Sequence, residues 1–311
     1  MNVLAIKRLT KKFGDFIAVD DISFSVGQGE IFGFLGPNGA GKSTVIHMIA
    51  SLLSISSGEI ELLGKNIAKH RHFAKSNIGI VPQELSIYED MSAYENVEFF
   101  AGLYGLRGAQ LRKSVEEALA FVGLGDKRRD YPKNFSGGMK RRLNIACAIA
   151  HRPALIIMDE PTIGIDPQSR SYILDSVKKL NEMGSTIIYT SHYMEEVEEI
   201  CSRIAIIDHG KIIAEGTKAQ LTSIITNQSH IRIEVKSGER VELEGLKAIA
   251  GVRSVEREGG WIKVSSDAEV NNLNPILRVL TALDAEVIAV ESDRPSLESV
   301  FLTLTGRSLR D

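Results

Sequence analysis

Gly36-Pro37-Asn38-Gly39-Ala40-Gly41-Lys42-Ser43-Thr44 sets out G-x-x-x-x-G-K-[ST], a spacing that suits the capture of a polyphosphate. Glycines let the backbone curl around an anion and turn successive N–H groups towards it. The following helix adds unpaired amides and the positive end of its dipole. Lys42 brings a full positive charge to the outer phosphates, and the Ser43 hydroxyl suits Mg²⁺. A glycine turn without a ligand is the alternative. The flanks oppose it: the apolar run Ile31 to Leu35 before the loop, and Val45, Ile46, Ile49 and Leu52 at helical spacing after it. A nucleoside-triphosphate site is expected.

A second constellation decides between binding and hydrolysis. The apolar run Leu155-Ile156-Ile157-Met158 ends in Asp159-Glu160. A carboxylate at the end of a buried strand is well placed to hold Mg²⁺, directly or through water, which assigns Asp159 to the metal. Glu160 is then free to polarise an attacking water as a general base. Paired acids at a strand end are also ordinary surface charge, but here Pro161-Thr162 and the turn Gly164-Ile165-Asp166-Pro167 follow directly. Hydrolysis is expected.

These groups need a scaffold, and the apolar pattern supplies one. The runs Ile31 to Leu35, Ala154 to Met158, Thr186 to Thr190 and Arg203 to Ile207 read as buried strands, and Val3 to Leu9 and Ile22 to Val26 as half-buried ones. Thr44 to Leu53 reads as a helix. Buried strands separated by helical segments predict an α/β fold with a largely parallel sheet covered on both faces. Glu84 to His151 has no comparable strand and reads as a helical insertion. A polar linker, residues 223–229, separates residues 1–222 from residues 230–311. The latter read as a small α+β unit of order β-α-β-β-α-β, the ferredoxin-like arrangement. In it, Arg240 to Leu243 is a candidate partner strand, and Pro295 precedes a closing helix, Ser296 to Thr305.

Composition sets limits. The 311 residues are 43% hydrophobic and 25% charged, the balance of a chain with a real core. No apolar stretch is long enough to span a membrane. The start, Met1 to Lys7, has no signal-peptide pattern, and two cysteines are too few for a disulfide scaffold, so a cytoplasmic location is expected. The net charge is −3, all of it from the part beyond residue 222. The basic cluster from Lys127 to Arg142 is local and interrupted, so no nucleic-acid partner is expected.

Taken together, the motifs resemble those of the ATP-binding cassette ATPases, P-loop NTPases with a helical insertion. Asn134-Phe135-Ser136-Gly137-Gly138-Met139 is similar to the family's signature loop, Gln83 to its Q-loop glutamine, His192 to its switch histidine, Asp166 to its D-loop aspartate, and Phe13 to the aromatic that stacks on adenine. The order and spacing over residues 1–222 make the resemblance specific. It implies ATP and Mg²⁺, with Gly36 to Thr44, Phe13, Gln83 and His192 on the nucleotide. Ser43, Gln83 and Asp159 would hold the metal, and Glu160, His192, Gln83 and Lys42 would serve catalysis. Ser136, Gly137, Gly138 and Asp166 would reach a nucleotide held by a second subunit, making ATP the glue of a head-to-tail dimer. Met139 departs from the usual glutamine; the serine and both glycines remain.

The resemblance also implies a partner. Residues 84–105 carry Tyr88, Tyr94, Phe99, Phe100 and Tyr104, and the start of this segment resembles the part that in the family forms the groove for a coupling helix of a transmembrane permease, although Phe99 and Phe100 suit a helical core equally well. That wording, and the ending Pro295 to Gly306, resemble ATPase subunits of the daunorubicin-resistance type of exporter, which move drugs, lipids or polysaccharides. An importer subunit is the alternative within transport, and a soluble cassette ATPase acting on ribosomes or DNA the alternative outside it. The expected location is peripheral, on the inner face of the cell membrane through the permease.

Overall fold

The apolar runs fold as inner strands of a six-stranded sheet in the computed structural model, which describes residues 1–225, 228–236, 241–267, 270–293 and 296–306. The strand order is Lys211–Gly216, Arg203–Asp208, Ile31–Leu35, Thr186–Thr190, Leu155–Asp159, Ile78–Val81. Neighbours are parallel except for the first pair. Successive strand residues enter opposite cores. Ile31, Ile156, Met158, Ile187 and Tyr189 pack with the helical insertion, whereas Phe32, Phe34, Leu155, Ile157 and Ile188 pack on the other side. A sheet covered on both faces follows from runs without polar alternation.

Two of the six strands escaped the sequence reading. Lys211–Gly216 lies at an edge and is half exposed. Ile78–Val81 is four residues long and contains Gly79. A Cβ at Gly79 would meet the Ala148 carbonyl oxygen at 2.4 Å, so the glycine allows the helix of the signature segment to lie close against this strand.

A second sheet, antiparallel, has the order Phe16–Gly27, Asn2–Phe13, Ser57–Leu62, Lys65–Asn66. Its long strands exceed the expected Val3–Leu9 and Ile22–Val26 because register shifts interrupt the alternation without ending the pairing. The turn between them sets Phe13 opposite Phe16. The helix after the glycine loop runs Lys42–Ile49, shorter than the expected Thr44–Leu53. Ser51 takes a left-handed φ of 57° and turns the amides of Leu52 and Leu53 back on to the His47 carbonyl.

Between these sheet segments stand the helices Ala93–Leu103, Gly108–Phe121 and Gly137–Ile149. Ser92 and Glu95 form a capping box at the first. Their buried faces, including Val97, Ala101, Val115, Leu119, Leu143 and Ala146, form one core with the sheet. His151 follows the last helix, stacked on Tyr104 with ring centroids 3.5 Å apart. Burial pushes its imidazole down to about 4, the Ile78 carbonyl opposing this. An unfolded chain takes up this proton near the ordinary 6.5 and the folded one only near 4, so stability from this site is complete above 6.5 and falls as the pH drops. Thermal melts in that window are expected to show the fall, and His151→Phe, which keeps a stacked ring, to reduce it. An identical slope in the variant would exclude His151 as a source.

Met1–Lys218 form one compact unit and Ala219–Gly306 another. A helix, Lys218–Ile225, spans the expected boundary, and a strand starts at Gln228, which leaves little of residues 223–229 as linker; residues 226 and 227 lie outside the described residues. In the second unit the order is Gln228–Val235, helix Glu244–Lys247, Val252–Glu258, Trp261–Asp267, helix Leu273–Ala282, Val287–Asp293. The sheet order, Val252–Glu258, Trp261–Asp267, Gln228–Val235, Val287–Asp293, is antiparallel throughout, the split βαβ pattern. Residues 241–243 are not a strand, and Val241 instead joins the core with Leu246, Ile276 and Leu280; Arg240 lies outside the described residues. Ser296 caps the closing helix, Leu297–Thr305, and Pro295 also lies outside the described residues.

Candidate nucleotide-binding and hydrolytic site

The loop at the end of Ile31–Leu35 is shaped by glycines that tolerate no substitute. A Cβ at Gly36 would stand 2.3 Å from the Ile207 carbonyl oxygen, and one at Gly41, whose φ is +108°, 2.7 Å from that of Ala18. Gly41 therefore delivers Lys42 into the first helical position. Lys42 is buried and turned into the loop, its Nζ donating to the carbonyls of Gly36 at 2.6 Å and Pro37 at 3.1 Å. Burial pushes its ammonium below the ordinary value, against the pull of Glu160 and Asp159.

Asp159 and Glu160 are set by one threonine. The Thr190 hydroxyl donates to Asp159 Oδ1 at 2.7 Å and accepts the Glu160 amide at 2.9 Å. Burial pushes the Asp159 carboxyl up, the Thr190 hydroxyl pulling the other way. Glu160 takes a φ of +49°, a left-handed backbone that a β-carbon resists, at a cost of order 1 kcal/mol. That kink separates the two carboxylates, so Glu160 turns into the cleft. Its Oε1 stands 2.6 Å from His192 Nε2 and its Oε2 accepts from Gln83 Nε2 at 3.1 Å. His192 Nδ1 is buried and makes no hydrogen bond among the described residues.

These side chains open on a cleft of about 690 Å³ lined by Phe13, Phe16, Ala18, Asn38, Gly39, Ala40, Gly41, Lys42, Ser43, Thr44, Gln83, Glu160, Ile163, His192 and Tyr193. Most of the expected nucleotide residues are thus brought together in one chain. Gly36, Pro37 and Asp159 are not part of the lining. Neither are Ser136, Gly137, Gly138 and Asp166, which form a separate group. Ser136 caps the helix Gly137–Ile149 by accepting the Met139 amide, and Asp166 caps Pro167–Glu182 by accepting the Ser169 amide, a bond that lowers the Asp166 carboxyl. A Cβ on Gly138 would stand 2.1 Å from Ser169 Oγ, so the two caps are packed together.

Sequence reasoning missed several supports. Phe16, Ile163 and Tyr193 line the cleft without any motif signal. Arg141, 3% exposed, donates to the carbonyls of Pro82 at 2.7 Å and Gln83 at 2.6 Å, joining the signature helix to the segment that carries Gln83. Buried Asn96 holds the amide and carbonyl of Tyr88 and the carbonyl of Met91. An arginine or asparagine on a helix reads as solvated surface until the fold buries it. Phe99 is partly exposed and packs edge-on against Tyr88, so the aromatic segment is neither all core nor all surface.

The ABC transporter family pattern matches residues 19–163. The linearmycin resistance ATP-binding protein of Bacillus subtilis (strain 168) is 45% identical over 311 residues, covering 99% of this chain and 100% of that protein. The Nod factor export ATP-binding protein I of Ralstonia nicotianae is 37% identical over 99% of this chain and 95% of its own. For the daunorubicin/doxorubicin resistance ATP-binding protein of Streptomyces peucetius the identity is 35%, over 97% and 92%. Among solved structures, the dimeric post-hydrolysis state of an ATP-binding cassette bound to ADP and Pi superposes with a TM-score of 0.62 at 27% identity, covering 69% of this chain and 98% of that one.

The chain belongs to the ABC transporter family as an ATP-binding subunit of the daunorubicin-resistance type, an ATPase whose hydrolysis is coupled to transport. ATPases of this family work with transmembrane subunits and dimerise. No helix among the described residues is long and apolar enough to cross a membrane.

Proposed function

We propose that this chain powers export of a drug, lipid or polysaccharide through a separate permease that holds it against the inner face of the cell membrane. The match to resistance and export proteins extends over the second unit as well as the cassette, which favours export over import and over a soluble role.

For the chemistry, the observation that carries the reading is Glu160, turned into the cleft with one oxygen on His192 and the other on Gln83. ATP fits with its phosphates over Gly36 to Thr44, where Lys42 exchanges two carbonyls for phosphate oxygens, and with its base against Phe13 and its hairpin neighbour Phe16. Glu160 then accepts the proton of a water aligned on the terminal phosphate, Gln83 orients that water, and His192 holds the phosphate through its ring N–H. Ser43, Gln83 and Asp159 form an all-oxygen donor set that fits Mg²⁺, and Asp159, whose carboxyl burial pushes up, gains from a nearby cation. When bound there, Mg²⁺ neutralises charge on the outer phosphates. Ser136, Gly137, Gly138 and Asp166 lie off the lining of their own cleft, which supports a role on the nucleotide of a second ATPase subunit, a copy of this chain or a relative. The helix start behind Ser136 suits an anion. No nucleic acid enters this scheme.

Inverted membrane vesicles carrying this chain and its permease are expected to accumulate an exported probe, daunorubicin or a lipid-linked sugar, only with hydrolysable ATP. A requirement for a soluble substrate-binding protein, or ATP-driven loss of probe from the lumen, would overturn export.

A further inference from the structure

Glu196 belongs to none of the motifs, yet it is 2% exposed and gathers more donors than any carboxylate in the cleft. It sits on the helix Met194–Ile200, just after the loop that carries His192. Its Oε2 accepts from three hydroxyls: Thr162 at 2.8 Å, Tyr189 at 2.8 Å and Ser191 at 2.7 Å. Each comes from a different functional segment. Thr162 lies two residues after Glu160, Tyr189 is on the strand whose next residue positions Asp159 and Glu160, and Ser191 directly precedes His192. The Ser191 oxygen in turn accepts the Tyr193 amide at 3.0 Å, so the loop is held on both sides of the histidine. The other carboxylate oxygen faces Arg170 Nε at 3.4 Å without a hydrogen bond. The Arg170 guanidinium also lies 4.0 Å over the Tyr193 ring. Arg170 is on the helix that Asp166 caps, and its amide bonds the Asp166 carbonyl at 2.9 Å.

Three hydroxyls converge on one oxygen, and an ionised carboxylate serves them all while offering its other oxygen to a cation. We propose that Glu196 is a positioning residue for hydrolysis: it fixes the His192 loop to the segment after Glu160 and, through Arg170, to the helix that begins at Asp166. Movement at the dimer-facing Asp166 turn then reaches the 2.6 Å contact between Glu160 and His192 through one carboxylate. The inference rests on reading Glu160 and His192 as the hydrolytic pair.

Glu196→Gln keeps the volume but not both sets of contacts. With its amide oxygen towards the hydroxyls, its NH₂ group faces the Arg170 guanidinium, donor against donor. Turned round, it takes away the oxygen to which all three hydroxyls donate, and each must turn to accept from one NH₂ or lose its partner. In the full chain with its permease, kcat per folded molecule is expected to fall about tenfold or more, as small misplacements of catalytic groups do. KM for ATP should stay within about twofold, since the phosphate loop is untouched. Arg170→Met breaks the ion pair from the other end. In the double variant its loss should add less than fully to that of Glu196→Gln, because both cut the link between Glu196 and Arg170, although Arg170→Met also gives up the contact over Tyr193. Full turnover in folded Glu196→Gln, or additive losses, would overturn the proposal. If Glu196→Gln does not fold, normal turnover in Arg170→Met overturns it. An active Glu160→Gln would instead sink the underlying reading, whereas an inert Glu160→Gln beside a normal Glu196→Gln removes only this inference.

Discussion

Glu160→Gln is expected to retain ATP binding while phosphate release falls by about a thousandfold, the loss typical of removing a general base. The exchange is isosteric. A glutamine oxygen still accepts from Gln83, and the backbone at φ +49° is no harder for glutamine than for glutamate. Lys42 and the glycine loop proposed to grip the phosphates are unchanged. The glutamine NH₂ then faces His192 where Oε1 stood, and the capacity to take a proton from water disappears. On the proposed reading hydrolysis releases a clamp between two subunits, so the variant should accumulate with ATP as a dimer, seen as an earlier peak in size-exclusion chromatography. Retained phosphate release would take Glu160 out of the role of base. A dead but monomeric variant would leave the base in place and remove the ATP-glued dimer.

That variant also marks where the sequence stops being informative. The glycine loop and the strand ending in Asp159-Glu160 were legible because their chemistry lies in contiguous residues. The buried inner strands were legible because a sheet packed on both faces leaves no polar alternation. What could not be read was how Asp159 and Glu160 point apart. That depends on a left-handed φ at Glu160, held by the hydroxyl and carbonyl of Thr190, thirty residues downstream on a neighbouring strand. Ser57–Leu62 was also missed, since its first half is polar and its strand character comes from pairing with Asn2–Phe13. Arg141, Asn96 and Glu196 share one cause. Polar residues on helices read as surface, and only the fold makes them hydrogen-bonding centres for loops distant in sequence. The separation of Ser136 to Gly138 from the cleft was legible only through resemblance, because no spacing rule within the chain relates them to the glycine loop.

Lys42→Met is expected to weaken ATP binding by more than about a hundredfold, since charge-assisted bonds to two phosphates contribute about 1.5–3 kcal/mol each and about 1.4 kcal/mol is tenfold in affinity. Methionine keeps the stem in its buried place, so the loop retains its packing. The pH dependence separates this loss from a collapsed loop. In the nucleotide-free protein, burial holds the ammonium below its ordinary 10.5, so the folded state resists protonating it. This destabilisation is fully present below the lowered pKa and is relieved as the pH rises from there towards 10.5. Phosphate oxygens favour the charged amine, so binding takes up a proton in that window and ATP affinity falls with rising pH. Titrations with ATP across the window should show the fall in the parent chain, and Lys42→Met should lose that component together with the affinity. A methionine variant that binds ATP within about threefold of the parent would contradict the placement of this amine on the phosphates and the reading of the loop built on it.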